Sequence, residues 1–289
     1  MKYFWVVVVA LGLLNCQRKL KDQPDLQSDR IFVSSFICPQ DPYVEVTLLE
    51  LLEGNKVYPN NYYSSSDNTH TINDALVIIS DGSQSVVLPF SSKHNNYRIH
   101  KNVFPIQEGK TYTLEVSAPG KRSCKAQCTI PFAIEAVVSK IDTIRYDDSG
   151  LSSNSFVLNL EWQDPAFQKN YYLLNRVENF AYEYQYVDWN WIKADSNIST
   201  SSTYEWEGLS DDAFDGKKYK FKSEIKNFFS SSNSIGYAFC HTDEHFKRYF
   251  DWKKLNYYDN PFQQPPIVYT NVENGLGVFS GYSKFYIKL

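Results

Sequence analysis

The chain has 289 residues, a net charge of −4 and 43% hydrophobic side chains. At about 100–200 residues per domain, this length suggests two domains, each with enough apolar material for a core. The mild acidity argues against nucleic acid as a partner. Aromatic residues reach 16%, and Tyr, Phe, Val, Ile, Thr and Ser dominate, a vocabulary of strands and turns.

The chain opens on a short charged start, Met1-Lys2, and an apolar run from Tyr3 to Gly12 that ends Leu13-Leu14-Asn15-Cys16. A membrane span needs about 20 apolar residues, so the run is too short to cross. Its pattern is that of a secretory signal. A Cys at the junction resembles the lipobox of a bacterial lipoprotein, which implies cleavage before Cys16 and acylation of its side chain. Residues 1–15 are therefore read as the signal peptide and 16–30 as a flexible tether. The segment after Cys16 is polar and has no apolar periodicity.

Short strands separated by turns follow. Candidates are Ile31 to Ile37, Tyr43 to Leu49, Ala75 to Ser80 and Ser85 to Pro89, the last two joined by the Asp81-Gly82 turn. Thr111 to Ser117 and Ser123 to Ile130 alternate apolar and polar residues across the Pro119-Gly120 turn. This spacing predicts an immunoglobulin-like β-sandwich over 31–132. Val137 to Tyr146, Ser155 to Trp162, Tyr171 to Val187, Lys217 to Phe229 and Ile235 to Phe239 continue the style. Thr242-Asp243-Glu244 then reads as a helix start with Thr242 as N-cap, and Phe246, Tyr249 and Phe250 follow helical spacing. Strands resume at Ile267 to Asn271 and Gly277 to Phe285. The expectation is a mainly β protein, with a second β-sandwich-like domain over 133–289 and an inserted helix near 242–256.

Four cysteines follow Cys16. In an oxidising compartment Cys38 could bridge to Cys124 or Cys128; four buried free thiols are the alternative. Cys124 and Cys128 share a strand face but lie too far apart along it to bond each other.

His241-Thr-Asp-Glu-His245 matches the H-x-x-E-H pattern of an inverted zinc peptidase, in which His241 and His245 would hold zinc and Glu244 would act as base. A helix starting at Thr242 leaves His241 outside it, so a capped surface helix is the stronger reading. Asp211 to Gly216 has the look of a calcium loop, but Ala213 at its third position and Lys222 at its twelfth break the EF-hand pattern. No nucleophile elbow is present. The chain reads as a non-enzyme without a cofactor. Tyr182, Tyr184, Tyr186, Trp189 and Trp191 form an aromatic run suited to a sugar face or a protein partner; core packing is the plainer alternative.

Several blocks share an order with one known family. They are Ile31-Phe-Val-Ser-Ser-Phe-Ile-Cys-Pro-Gln-Asp41, Asp74-Ala-Leu-Val-Ile-Ile-Ser-Asp-Gly82, Gly109-Lys-Thr-Tyr-Thr-Leu-Glu-Val116 and Cys128-Thr-Ile-Pro131. The most specific are Asn260-Pro-Phe262 and Tyr269-Thr-Asn-Val-Glu-Asn-Gly-Leu-Gly-Val-Phe279. The chain resembles DUF4249, a Bacteroidota lipoprotein family of unknown function. The resemblance implies an outer-membrane lipoprotein, often found with TonB-dependent transporters, and carries over no catalytic residue. The expected function is a lipid-anchored accessory subunit of a TonB-dependent barrel or another envelope complex. A glycan- or peptide-binding lipoprotein for nutrient capture is the alternative, and a metallopeptidase a distant third. Gln17-Arg18-Lys19-Leu20-Lys21 is basic where some surface lipoproteins are acidic, which leaves the cell-surface and periplasmic faces both open.

Overall fold

The computed structural model describes residues 29–50, 71–148, 151–181, 184–187, 190–193, 199–225, 232–255 and 269–288. The first half holds eight strands: β1 (Ile31–Ile37), β2 (Tyr43–Glu50), β3 (Leu76–Ser80), β4 (Ser85–Val87), β5 (Phe90–Ser91), β6 (Asn96–His100), β7 (Thr111–Ser117) and β8 (Cys124–Thr129). The second half holds β9 (Val137–Asp148), β10 (Leu151–Gln163), β11 (Tyr171–Ala181), β12 (Tyr184–Val187), β13 (Asn190–Lys193), β14 (Ser199–Ser210), β15 (Lys218–Ile225), β16 (Ser232–Thr242), the helix α1 (Glu244–Leu255) and β17 (Leu276–Lys288). The protein is mainly β, as the sequence predicts, and α1 lies within the segment expected to be helical.

Period-two alternation builds the first sandwich. Strand β2 buries Val44, Val46 and Leu48, β7 buries Tyr112, Leu114 and Val116, and β8 buries Cys124, Ala126 and Cys128. These side chains meet between the sheet β4-β3-β7-β8 and one end of an eight-stranded sheet ordered β14-β11-β16-β17-β1-β2-β6-β5. The other end of that long sheet forms the second sandwich with β15-β10-β9, around Leu158, Leu160, Trp162, Tyr172, Phe221 and Phe239.

One strand joins the two sandwiches. The first part of β17 runs parallel to β1, from Phe32↔Leu276 to Ile37↔Gly281. Its second part runs antiparallel to β16, from Thr242↔Tyr282 to Gly236↔Lys288. The segment expected to form only the second domain thus also contributes a strand to the first core, where Phe279 is fully buried.

Helix α1 lies across this seam on the outer face of the long sheet. Phe246 and Tyr249 pack on Phe36 of β1, at 4.5 and 5.7 Å between ring centroids, and Phe246 also meets Tyr282 of β17 at 5.3 Å. Phe250 joins Phe246 over Leu173, Ala238 and Cys240. The N-cap is Asp243, not Thr242: the Phe246 N–H donates to Asp243 Oδ1 at 2.9 Å. Thr242 stays in β16, paired with Tyr282. Asp243 also accepts from Ser280 Oγ at 2.5 Å and from the Gly281 N–H at 2.9 Å, so one carboxylate ties the helix start to the seam strand. Burial pushes its pKa up, and the hydrogen bonds oppose that shift.

Candidate functional site

Beside α1, the outer face of β1, β2 and β6 forms a cleft of about 420 Å³, within the usual range for small-molecule sites. Alternation sets its lining, because the β2 residues that face away from the core are Tyr43, Glu45 and Thr47. Arg98 of β6 lies directly opposite Glu45 and pairs with it at 2.9 Å. Its guanidinium sits 3.8 Å from the centroid of the Tyr43 ring, whose edge contacts His100. At the far wall the Tyr282 hydroxyl donates to Asp41 Oδ2 at 2.7 Å, and Lys284 also pairs with Asp41. Burial, then the nearby Asp41 charge, holds the Tyr282 phenol well above its ordinary pKa. Glu45 is matched by Arg98 and Asp41 by Lys284, and Ser34, Thr47 and Tyr43 are among the lining residues. Such a surface suits a neutral polar ligand. Sequence reasoning missed these residues because β6 carries no alternation strong enough to place Arg98 across from Glu45.

A second constellation lies where two connections cross between the sheets of the second sandwich. One arch, 164–170, leads from β10 to β11; the other, 211–217, leads from β14 to β15. Oxygens of Asp164, Asp211 and Asp215 lie within 4.8 Å of one another. This cluster contains the acidic run that looked like a calcium loop, but its oxygens already have donors. Asp164 accepts from the Gly216 N–H at 2.8 Å and from the Tyr172 hydroxyl. Asp211 accepts from the Asn170 N–H at 2.7 Å and pairs with Lys169 at 2.9 Å. Asp215 accepts from the Phe167 N–H at 3.2 Å. Each arch therefore supplies carboxylates to the other's backbone, and a cation would have to displace those donors. Asp212, then Asp211, hold the Lys169 ammonium above its usual pKa. Burial raises Tyr172, and its bond to Asp164 raises it further.

The H-x-x-E-H residues do not converge. His241 is buried in β16, with Nδ1 2.8 Å from the Phe132 carbonyl oxygen and Nε2 3.1 Å from Asn170 Oδ1. Burial pushes its pKa below the ordinary value. Glu244 pairs with Arg248 one turn along α1, and His245 Nδ1 lies 2.7 Å from the Tyr269 hydroxyl. The motif assumed both His on one helical face; a strand ending at Thr242 makes that impossible.

The bridge from Cys38 to Cys124 or Cys128 is not formed. Cys38, Cys124, Cys128 and Cys240 are free and buried. Burial pushes the thiols of Cys38 and Cys124 up to about 11 and that of Cys240 up to about 12. At pH 8 a thiol of pKa near 11 is thiolate to only about one part in 1,000. These four cysteines are expected to resist Ellman's reagent in the folded protein and to react fully in guanidinium without a reductant. A disulfide would show as two missing equivalents.

Of the aromatic run, Tyr182 and Trp189 lie outside the described residues, as does Cys16. Tyr184 and Tyr186 fall on β12 and Trp191 on β13, with Tyr186 opposite Trp191 in register.

The closing sequence block builds the seam. The Asn271 amide pairs with the Phe279 backbone on both sides, donating to its carbonyl at 2.7 Å and accepting from its N–H at 3.0 Å. Val272 enters the first core, and Gly277 lies against Val33 of β1. The predicted strand at 267–271 is not formed in its described part; a hydrogen-bonding side chain there takes the place of a ladder. No curated protein matches the sequence. A family model does, described as "Domain of unknown function (DUF4249)" and aligned to residues 19–286, nearly to the end of the seam strand. On that match the chain belongs to the DUF4249 family.

Proposed function

We propose that this protein is a lipid-anchored accessory lipoprotein of the outer membrane that works by binding, as a partner of a TonB-dependent barrel or another envelope complex. The carrying observation is Cys16 in the sequence, at the end of a short apolar run that follows a charged start. A chain reaching from Cys16 to Asp29 can extend at most about 45 Å, enough to let an anchored body meet a neighbour in the same membrane. Side chains that could do chemistry are held by structural partners: His241 by Phe132 and Asn170, Glu244 by Arg248, and the three aspartates by backbone N–H groups. That arrangement favours a binding role over an enzymatic one.

The test is recovery of the native lipoprotein from detergent-solubilised outer membranes, with quantitative mass spectrometry and metabolic palmitate labelling. A stoichiometric barrel and a label lost in Cys16→Ala are expected. Recovery alone would overturn the partner reading; an unlabelled protein would overturn the anchor. The cleft of Tyr43, Glu45 and Arg98 favours a second reading, direct capture of a neutral glycan or a peptide. In that case Arg98→Ala should weaken ligand binding and leave the fold intact.

A further inference from the structure

The cleft beside α1 is a fork in the long sheet. Strands β1 and β2 pair from Ile31↔Glu50 to Ser34↔Thr47, and there their ladder stops. Beyond it β1 follows β17 to Ile37↔Gly281, while β2 follows β6 to Tyr43↔His100. Ser34 and Thr47 stand at the closed end and Tyr43 toward the open one, and all of them line the cleft. Arg98 is its fixed point. The side chain is only 15% exposed, paired with Glu45 and stacked on Tyr43, yet its Nε is buried without an acceptor. A buried donor left without a partner calls for an explanation. A shift of the guanidinium toward an oxygen in the cleft would break no bond at that atom. The Glu45 side chain is 45% exposed, and a carboxylate accepts several hydrogen bonds at once. Donors and acceptors therefore stand side by side, with their charges already neutralised by each other.

The lining sorts the ligand classes. A charged ligand would have to break the pairs Glu45–Arg98 or Asp41–Lys284, or enter with no counter-charge. An extended peptide gains affinity from main-chain bonds to an unpaired strand. The fork is where β1 and β2 would offer them, but Ser35 Oγ already donates to the Glu45 carbonyl there at 2.7 Å. A hydroxyl both donates and accepts. Neighbouring hydroxyls on a sugar ring can thus donate to Glu45 and accept from Arg98 without disturbing the charge balance. Phe36, Pro42 and Tyr43 offer apolar surface to the C–H face of such a ring. The Tyr282 hydroxyl, which donates to Asp41, keeps its oxygen as an acceptor. We infer that the fork binds a neutral carbohydrate, with Glu45 and Arg98 gripping adjacent hydroxyls of one ring. This rests on the direct-capture reading above and names its ligand.

The test is saturation-transfer difference NMR on the full lipoprotein in a sugar-free detergent. The probes are glucose, galactose, mannose, N-acetylglucosamine, cellobiose, maltose and lactose, with glucuronate and N-acetyl-tetra-alanine amide as rivals. A neutral sugar is expected to receive magnetisation, most strongly at two adjacent hydroxyl-bearing carbons. Arg98→Ala and Glu45→Gln should each weaken it about tenfold or more, the effect of losing a hydrogen bond to a charged group. Thr47→Val should cause a smaller loss, and Trp191→Ala, in the aromatic run, none. Thermal melts near the wild-type temperature separate lost contact from lost folding. Sugar binding that survives both Arg98→Ala and Glu45→Gln would place the site elsewhere and overturn the inference. Tighter binding of glucuronate than of any neutral sugar would overturn it too. If the peptide binds through Arg98 and no sugar does, the carbohydrate falls while direct capture stands. If neither binds, both fall.

Discussion

Gly277→Ala is expected to remove the cooperative fold of both halves. Gly277 has φ +94°, and a Cβ built on it would overlap the Val33 carbonyl oxygen. That oxygen belongs to backbone inside the parallel β1–β17 ladder, so nothing flexible can yield. The left-handed conformation alone costs a non-glycine residue about 1–2 kcal/mol, and separating paired strands adds to it. A total loss above about 3 kcal/mol is expected, a large part of the stability of any domain. Gly82 is the control. It also has positive φ, at the Asp81 turn, but a Cβ there meets only open space, so Gly82→Ala should cost about 1–2 kcal/mol. The check is chemical denaturation of both variants followed by circular dichroism. Equal losses at the two sites would mean that the seam does not depend on the close approach at Gly277.

Trp162→Ala is expected to cost about 3–5 kcal/mol, the range for removing a fully buried large aromatic. Trp162 is 2% exposed and stands at the centre of the second core. Its rings lie 4.8 Å from Phe239, 5.1 Å from Tyr219, 5.2 Å from Tyr172 and 6.2 Å from Phe214. Beyond the cavity, the stacked pair Phe214 and Tyr219, 3.9 Å apart, loses its backing. Trp162→Phe keeps a ring in place and should cost markedly less. Guanidinium midpoints read by far-ultraviolet circular dichroism report both values. A Trp162→Ala loss below about 1 kcal/mol would show that this core repacks around the hole.

The parts of the fold legible in the sequence are those made by neighbours. Tyr112, Leu114 and Val116 alternate within one strand, and Phe246, Tyr249 and Phe250 repeat within one helix, so local period reveals both. Strand β14 was missed because Ser199-Thr-Ser-Ser-Thr offers no apolar alternation. The helix start was misplaced by one residue because Thr242 and Asp243 are both good caps; only the pairing of Thr242 with Tyr282 assigns it to the strand. The seam and the arches were illegible for a different reason. Val33 meets Gly277, and Asp164 meets Gly216, across long stretches of chain that no periodicity links. For the candidate sites, an aromatic count pointed to Tyr182, Tyr184, Tyr186, Trp189 and Trp191, whereas the cleft of Tyr43, Glu45 and Arg98 exists only once β2 pairs with β6.

The shared strand also sets a schedule. Synthesis runs from β1 toward β17, so the first strand exists long before the one that flanks it. Until β17 is made, one edge of β1 keeps its peptide groups open to whatever extended chain is nearby, and the first core lacks Phe279. Neither half can therefore complete its fold as an early, independent unit, and the pairing that closes the molecule is the slow, long-range kind. A nascent or truncated chain stopping before Leu276 should be recognised by the cell as unfinished over its whole length, and a holding chaperone would have to guard the first half as long as the second.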